Sequence, residues 1–174
     1  MSIAVYPGTF DPVHNGHIDI ATRSASIFDA VIVAVYDRPL KNLLFSSEER
    51  MQMMTETTAH LPNVTVMGYS GLTVAFVRQQ HANVIVRGLR VTYDFELEYQ
   101  MALTNKKLAP EVETVCLMTS LEYAFLSSSI VKEVAAAGGC VEAMVPRHVI
   151  AALGRKLNSR AVDTSAVGIV SLRD

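Results

Sequence analysis

The amino-acid sequence predicts an α/β fold, in which a single domain carries a five-stranded parallel sheet with helices on both faces. Short apolar runs alternate with stretches of helical periodicity, which is the order expected of strand–helix–strand units. The runs are apolar at nearly every position, as in parallel strands that are buried on both sides. At 174 residues, the chain is long enough to bury the core of such a domain.

The predicted strands are apolar runs bounded by polar, glycine or proline residues. They cover residues 3–6, 31–36, 64–67, 83–86 and 114–118. Helix-boundary signals place helices between them. Ser46 and Glu49 have capping-box spacing and predict a helix that ends near His60. The other helices are predicted at residues 18–28, at 72–80, from 93 to the proline at 110, from the serines at 127–129 to the glycines at 138–139, and from Pro146 to about Leu157. In the helix at 72–80, Leu72, Ala75 and Phe76 are expected on one face.

The domain is predicted to cover residues 1–157, followed by a C-terminal tail at residues 158–174. No firm amphipathic period appears in the tail, and the pattern leaves its order or disorder open. Cys116 lies in an apolar run and is expected in the core.

Composition argues against several functional classes. The net charge is −2 with no long basic run, so we expect no nucleic-acid partner. No uncharged apolar run reaches the roughly eighteen residues of a membrane span, and no signal-peptide pattern precedes the first strand. Two cysteines make a poor disulfide framework or metal site. We therefore expect a cytoplasmic globular protein with no membrane association.

A strand, a tight turn and a helix start follow one another over residues 3–28, with His14 and His17 at the helix start. The N-terminus of a helix favours an anion because of its unpaired N–H groups and its dipole. Residues three apart share a helix face, so both imidazoles can point the same way. Between them, Gly16 has no Cβ, and a flat base or a ribose could lie against its backbone. The alternative is a surface helix start with two solvated histidines.

Hydrogen-bond donors also follow the other predicted strands. Since ligands bind at the carboxyl ends of parallel strands, we expect these donors to form one anion-binding crevice. They are Thr9, His14, His17, Lys41, Thr73, Arg87, Arg90, Ser127, Ser128 and Ser129. The alternatives are a solvated Lys41, surface ion pairs of the two arginines with Asp94 or Glu98, and a serine run that only caps a helix.

Five segments of the chain resemble the nucleotidyltransferase superfamily, and most closely the phosphopantetheine adenylyltransferase family. The segments are residues 6–12 (YPGTFDP), 15–20 (NGHIDI), 87–90 (RGLR), 94–96 (DFE) and 126–134 (LSSSIVKEV). The resemblance covers roughly residues 2–157 and implies a Rossmann-like nucleotidyltransferase domain. It also implies transfer of the adenylyl group of ATP to 4′-phosphopantetheine, with dephospho-coenzyme A and pyrophosphate as products, and a homohexamer.

The resemblance implies a role for individual residues. ATP would be bound by Thr9, Phe10, His17, Gly88, Leu89, Arg90, Glu98, Tyr123, Ala124, Phe125, Leu126, Ser127, Ser128 and Ser129. Phosphopantetheine would be bound by Thr9, Lys41, Thr73 and Arg87, and the catalytic residues would be His17, Lys41, Arg90 and Ser128. The chain departs from the family at His14, where threonine is frequent, and at Tyr123, where tryptophan is common.

The chemistry of this reaction suits such a set of donors. A phosphate monoester is largely ionised near neutral pH, so its attack needs charge neutralisation and alignment and no general base. The family uses Mg²⁺, which we expect to be held mainly by ATP phosphates and water, with no protein ligand. The alternatives are a pyridine-mononucleotide adenylyltransferase or another nucleotidyltransferase of this fold, and a non-catalytic nucleotide sensor.

Overall fold

The computed structural model describes residues 1–39, 42–90 and 92–163, with the side chains of 92, 93 and 159–163 left undescribed. In these ranges the chain alternates strands and helices. The strands are β1 (Ile3–Gly8), β2 (Ala30–Tyr36), β3 (Val64–Tyr69), β4 (Val84–Leu89) and β5 (Glu113–Met118). The helices are α1 (Asn15–Ile27), α2 (Ser47–Thr58), α3 (Thr73–Gln79), α4 (Thr92–Leu108), a 3₁₀ turn (Leu121–Tyr123), α5 (Ser128–Ala136) and α6 (Arg147–Asp163).

The five strands form one parallel sheet in the order β3-β2-β1-β4-β5, which confirms the predicted fold class. The chain builds outward from β1 to β3 and then returns to the other side of β1 to add β4 and β5. The strand order therefore reverses between β1 and β4. Side chains and ligands gather at the carboxyl ends of the strands at such a reversal point.

Two apolar clusters cover the two faces of the sheet. One face packs against α1, α2, α5 and α6, with Ile20, Met54 and Leu153 fully buried. The other packs against α3 and the end of α4, where Phe76 and Val77 are buried. The helices thus lie on both faces, as predicted. Among the described helices, none combines the length and the apolar character that a membrane crossing requires.

Local sequence signals account for several helix ends. The Ser46 hydroxyl accepts from the N–H of Glu49, whose carboxylate accepts from the N–H of Ser46, so the predicted capping box is confirmed. Gly138 adopts φ 76° after α5, and the N–H of Gly139 bonds to the carbonyl of Val134. The last helix begins directly after Pro146 and continues past the expected end near Leu157 to Asp163. Residues 164–174 of the predicted tail lie outside the described residues.

Two expectations about burial are wrong. Cys116 is exposed because β5 is an edge strand, and the side of it that also bears Met118 is left open. In α3 the expected face of Leu72, Ala75 and Phe76 does not form. Leu72 precedes the helix and is exposed, and the buried face consists of Val74, Phe76 and Val77.

Candidate active site

A cleft of about 660 Å³ opens at the carboxyl ends of β1 and β4, where the strand order reverses. Its wall contains nearly all the donors that follow the predicted strands: Thr9, His14, His17, Thr73, Arg87, Arg90, Ser127, Ser128 and Ser129. Phe10, Gly88 and Glu98 also line it. The structure thus brings together segments that are far apart in the chain, between residues 6 and 129. Lys41, expected to be catalytic and to bind the acceptor, lies outside the described residues.

Five residues expected to bind ATP do not line this cleft: Leu89, Tyr123, Ala124, Phe125 and Leu126. Leu89 and Leu126 are buried in the core, whereas the Phe125 side chain is exposed to solvent. Leu126 still contributes to the site through its backbone, because its carbonyl accepts a 2.7 Å hydrogen bond from Arg90. The segment therefore borders the cleft without presenting these side chains to it.

The two histidines form a stacked pair at the start of α1. Helix α1 begins at Asn15, so His14 is its N-cap and His17 lies in its first turn. The N–H of His14 donates to Nδ1 of His17 at 3.2 Å, and the two rings stack with centroids 3.5 Å apart. In a neutral ring with an accepting Nδ1, the proton is on Nε2. His17 is therefore held as an Nε2–H donor.

His14 is buried, which contradicts the alternative of two solvated histidines. Burial, with a smaller contribution from Arg90, lowers the pKa of His14 to about 3, so its ring is neutral at physiological pH. Its Nδ1 is buried and has no hydrogen-bond partner among the residues that the structure describes. His14 thus supports His17 as an uncharged ring.

The turn after β1 depends on glycine and on a left-handed backbone. Phe10 has φ 52°, and its buried ring folds over Gly8, where a Cβ would lie 2.6 Å from the ring. The edge of Phe10 then meets His17 with centroids 4.9 Å apart. The space beside Gly16 was expected to accept a flat base. Instead, the His14 ring fills it, since a Cβ on Gly16 would lie 3.2 Å from that ring.

Two arginines with bidentate carboxylate partners form the β4 side of the cleft. Arg87 donates to both oxygens of Glu98 at 2.7 and 2.6 Å and to the carbonyl of Pro7 at 2.7 Å. Arg90 donates to both oxygens of Asp94 at 2.9 and 3.0 Å. The alternative interpretation of the two arginines, ion pairs with Asp94 or Glu98, is therefore correct about the partner residues. The pairs are nevertheless partly buried in the cleft wall, where they fix the planes of both guanidinium groups.

The serine run has a structural role and also lines the cleft. The Ser127 hydroxyl accepts from the N–H of Ile130 at 3.1 Å and caps α5, as predicted. The Ser128 hydroxyl donates to the carbonyl of Pro12 at 2.8 Å and ties α5 to the turn after β1. Since that proton is already used, Ser128 offers the cleft its backbone N–H at the helix start.

Sequence reasoning missed three buried or half-buried charged residues behind the cleft. Asp11 is buried and accepts from the N–H groups of Leu44 and Phe45 and from Nζ of Lys132, the last at 2.8 Å. Arg50 is fully buried. A signal for Arg50 existed, because it shares a helix face with buried methionines three and four residues further on.

The cleft presents no cluster of metal ligands. Its carboxylates, Asp94 and Glu98, are both engaged by arginine forks. Within the described ranges, no group of three or more histidine, cysteine, aspartate or glutamate side chains is arranged to hold a metal ion. The site is therefore built of donors, and it suits a polyanion.

Comparisons with known proteins agree on one family. A family model described as cytidylyltransferase-like matches residues 5–134. A phosphopantetheine adenylyltransferase of Carboxydothermus hydrogenoformans is 54% identical over 86% of this chain and 92% of that protein. The protein of the same name from Roseiflexus sp. strain RS-1 is 55% identical over 92% of this chain and its own full length (100%). The phosphopantetheine adenylyltransferase of Synechococcus elongatus is 57% identical over 86% of this chain and 90% of that protein.

Among solved structures, a candidate nicotinate-nucleotide adenylyltransferase from Vibrio parahaemolyticus superposes with a TM-score of 0.66. The match covers 88% of this chain and 99% of that one at 16% sequence identity. It establishes a shared fold.

Proposed function

Because the chain belongs to the phosphopantetheine adenylyltransferase family of cytidylyltransferase-like proteins, we propose that it adenylylates 4′-phosphopantetheine. ATP donates the adenylyl group, and the products are dephospho-coenzyme A and pyrophosphate. The observation that carries this function is the convergence of donors from β1, α1, β4 and α5 on one cleft at the reversal point of the sheet. A pyridine mononucleotide is the less favoured acceptor, since the relatives at 54–57% identity carry the pantetheine name.

The acceptor phosphate is the nucleophile. With a second pKa near 6, it is mostly a dianion at neutral pH and attacks the α-phosphorus of ATP directly. A new P–O bond forms to the acceptor oxygen while the bond to the β-phosphate oxygen breaks, and pyrophosphate leaves with that electron pair. The protein supplies alignment and charge stabilisation.

On the ATP side, His17 donates Nε2–H to an α-phosphate oxygen. The accepting state of its Nδ1 supports this role, because it leaves the proton on Nε2. Arg90, with its plane fixed by Asp94, neutralises the triphosphate. The N–H groups at the start of α5, including that of Ser128, receive the leaving pyrophosphate.

On the acceptor side, Arg87 and Thr9 hold the phosphate of 4′-phosphopantetheine, together with Lys41 as the resemblance implies. Thr73 lies at the start of α3, and its hydroxyl is within 3.0 Å of the Tyr69 hydroxyl, which orients it. The same cleft wall carries apolar Leu72, Met101 and Leu108 beside polar Thr104 and Asn105. A mixed lining of this kind suits the pantetheine arm, which has amides along an aliphatic chain.

Mg²⁺ fits this site only as a companion of ATP. Because arginines engage the carboxylates of Asp94 and Glu98, we expect that the ion would be held by the ATP phosphates and water. When bound, the ion neutralises charge on the phosphate oxygens. The arginines and the helix starts do the same from the protein side.

The enzyme assembles as a homohexamer in the cytoplasm. Support for assembly comes from α4, whose exposed side chains include Phe95, Leu97, Tyr99 and Leu103, each about half exposed. Met118, on the edge strand β5, is a further exposed apolar side chain. Exposed apolar patches of this kind mark interfaces.

A pyrophosphate-release assay with separate acceptors tests the proposed function. We expect Mg²⁺-dependent release from ATP with 4′-phosphopantetheine and none with nicotinate mononucleotide. The opposite preference would replace the proposed acceptor. Binding of ATP with no turnover for any acceptor would instead establish a nucleotide sensor.

A further inference from the structure

Arg50, on α2, is the only fully buried arginine in the described part of the chain. Its guanidinium group points at the backbone of the turn after β1, which contains Thr9 and Phe10. Its Nη1 donates to the carbonyls of Thr9 at 2.8 Å and Tyr36 at 2.7 Å. Nη2 and Nε donate to the carbonyls of Asp37 and Phe45, each at 3.3 Å. One guanidinium group therefore joins the segments that follow β1 and β2 to the segment that precedes α2.

Such a residue is costly for the fold alone. Burial lowers the pKa of Arg50 because the charged form loses its water, and Asp11 and Asp37 only partly compensate. Within the described residues, Arg50 forms no salt bridge, and carbonyl oxygens alone accept its hydrogen bonds. Apolar side chains of similar volume often serve stability as well as buried charges do. Stability alone therefore does not explain why an arginine is buried at this position.

The geometry of the peptide bond gives that reason. In a trans peptide the C=O and the following N–H point in opposite directions, so a Thr9 carbonyl turned toward Arg50 turns the Phe10 N–H away from it. Thr9 and Phe10 line the cleft and Arg50 does not, so the direction away from Arg50 is the side of the cleft. Phe10 also holds φ 52°, a conformation that needs external support.

We infer that Arg50 is a positioning residue for adenylyl transfer: its fork fixes the Thr9–Phe10 peptide so that the Phe10 N–H faces the phosphates of bound ATP. Arg50 touches no substrate and acts through the turn. The inference rests on the proposed function for its substrate, ATP. It adds a residue outside the cleft wall and assigns a direction to one backbone donor.

The test compares Arg50→Met and Arg50→Lys with Met54→Ala. Methionine keeps much of the volume, and lysine keeps the charge without the fork. Met54 lies on the same helix, is fully buried, and has no polar group to offer the turn. Its truncation leaves a cavity in the core and lowers the unfolding temperature, which makes it a control for destabilisation. Each protein is examined by thermal unfolding, ATP calorimetry and pyrophosphate release at a temperature where it is folded.

Both Arg50 variants are expected to lose about 10–100-fold in kcat/KM for ATP and about tenfold in ATP affinity. Met54→Ala should stay within about twofold of the wild type in both. If Arg50→Met does not fold, the rate and ATP affinity of Arg50→Lys decide whether Arg50 is a positioning residue. Wild-type ATP affinity and rate in a folded Arg50 variant, or equal losses in Met54→Ala, would overturn the inference. If no acceptor is adenylylated, the proposed function fails, while the ATP affinities still decide the role of Arg50.

Discussion

The backbone N–H of His14 donates to Nδ1 of His17, while the two imidazole rings stack with centroids 3.5 Å apart. The hydrogen bond leaves the proton of neutral His17 on Nε2, and the stacking places a buried, uncharged ring against it. The pair therefore functions as one oriented donor with a rigid support. The sequence motif alone would equally suggest two parallel donors.

Replacing His17 with alanine removes the donor to the α-phosphate. Turnover in the pyrophosphate-release assay should fall on the order of 10²–10³-fold, with the circular-dichroism spectrum and unfolding midpoint retained. His60→Ala, at an exposed position after α2, is the matched control and should keep wild-type turnover. Wild-type turnover in the His17 variant would remove this residue from the mechanism.

The buried His14 makes stability depend on pH. Its pKa is about 3 when folded against 6.5 for the unpaired group, so between these values the unfolded state binds the extra proton. Above pH 6.5 this group does not affect the free energy of unfolding. As the pH decreases from 6.5 towards 3, the free energy of unfolding falls. The loss approaches about 1.4 kcal/mol per pH unit.

Urea unfolding of the wild type and of His14→Gln between pH 7 and pH 4 measures this effect, since glutamine cannot titrate. The difference in unfolding free energy between the two proteins should shrink as the pH falls through that range. Parallel curves would show that His14 takes up its proton equally in the folded and unfolded states, so that its pKa is not lowered by folding.

Substitution of Arg87 tests how the cleft holds the phosphate of 4′-phosphopantetheine. Arg87→Lys keeps a positive charge but cannot bridge both oxygens of Glu98 and the carbonyl of Pro7. We expect kcat/KM for 4′-phosphopantetheine to fall about 10–100-fold, with ATP affinity by calorimetry changed much less. Arg78→Lys is the control, because Arg78 makes a similar fork to Glu111 on the exposed surface. Equal losses in both variants would assign Arg87 a structural role only.

The exposed apolar residues of α4 make assembly testable. Leu97→Glu together with Leu103→Glu should convert the proposed hexamer into smaller species, measured by sedimentation velocity. Ile27→Glu, at an exposed apolar position on α1, should leave the mass unchanged. A wild-type protein that sediments as a monomer would contradict the proposed assembly.

The fold could be predicted from the sequence because local and global signals agree. Apolar runs marked all five strands, and Ser46 with Glu49 marked the start of α2. The cleft followed from a general rule, since donors after parallel strands meet at one edge of the sheet. The apolar pattern of α4 could not be interpreted in the same way. Its period is the same whether the helix faces a core or another subunit, and Leu97 and Met101 are exposed.

The missed features depend on tertiary contacts. Arg50 lies near a helix start and a charged residue there would ordinarily be solvated, yet it donates to four carbonyls, those of Thr9, Tyr36, Asp37 and Phe45. The burial of His14 depends on the room that Gly16 leaves for its ring and on its stacking against His17. Likewise, the Ser128 hydroxyl is taken by the carbonyl of Pro12, more than a hundred residues away in the chain.

In the proposed reaction, the acceptor phosphate attacks the α-phosphorus of ATP in this cleft. Reaction of ATP with 4′-phosphopantetheine carrying ¹⁸O in its phosphate, followed by mass spectrometry of both products, tests it most directly. We predict that all the label remains in dephospho-coenzyme A and none enters pyrophosphate. Label in pyrophosphate, or no dephospho-coenzyme A at all, would exclude this reaction.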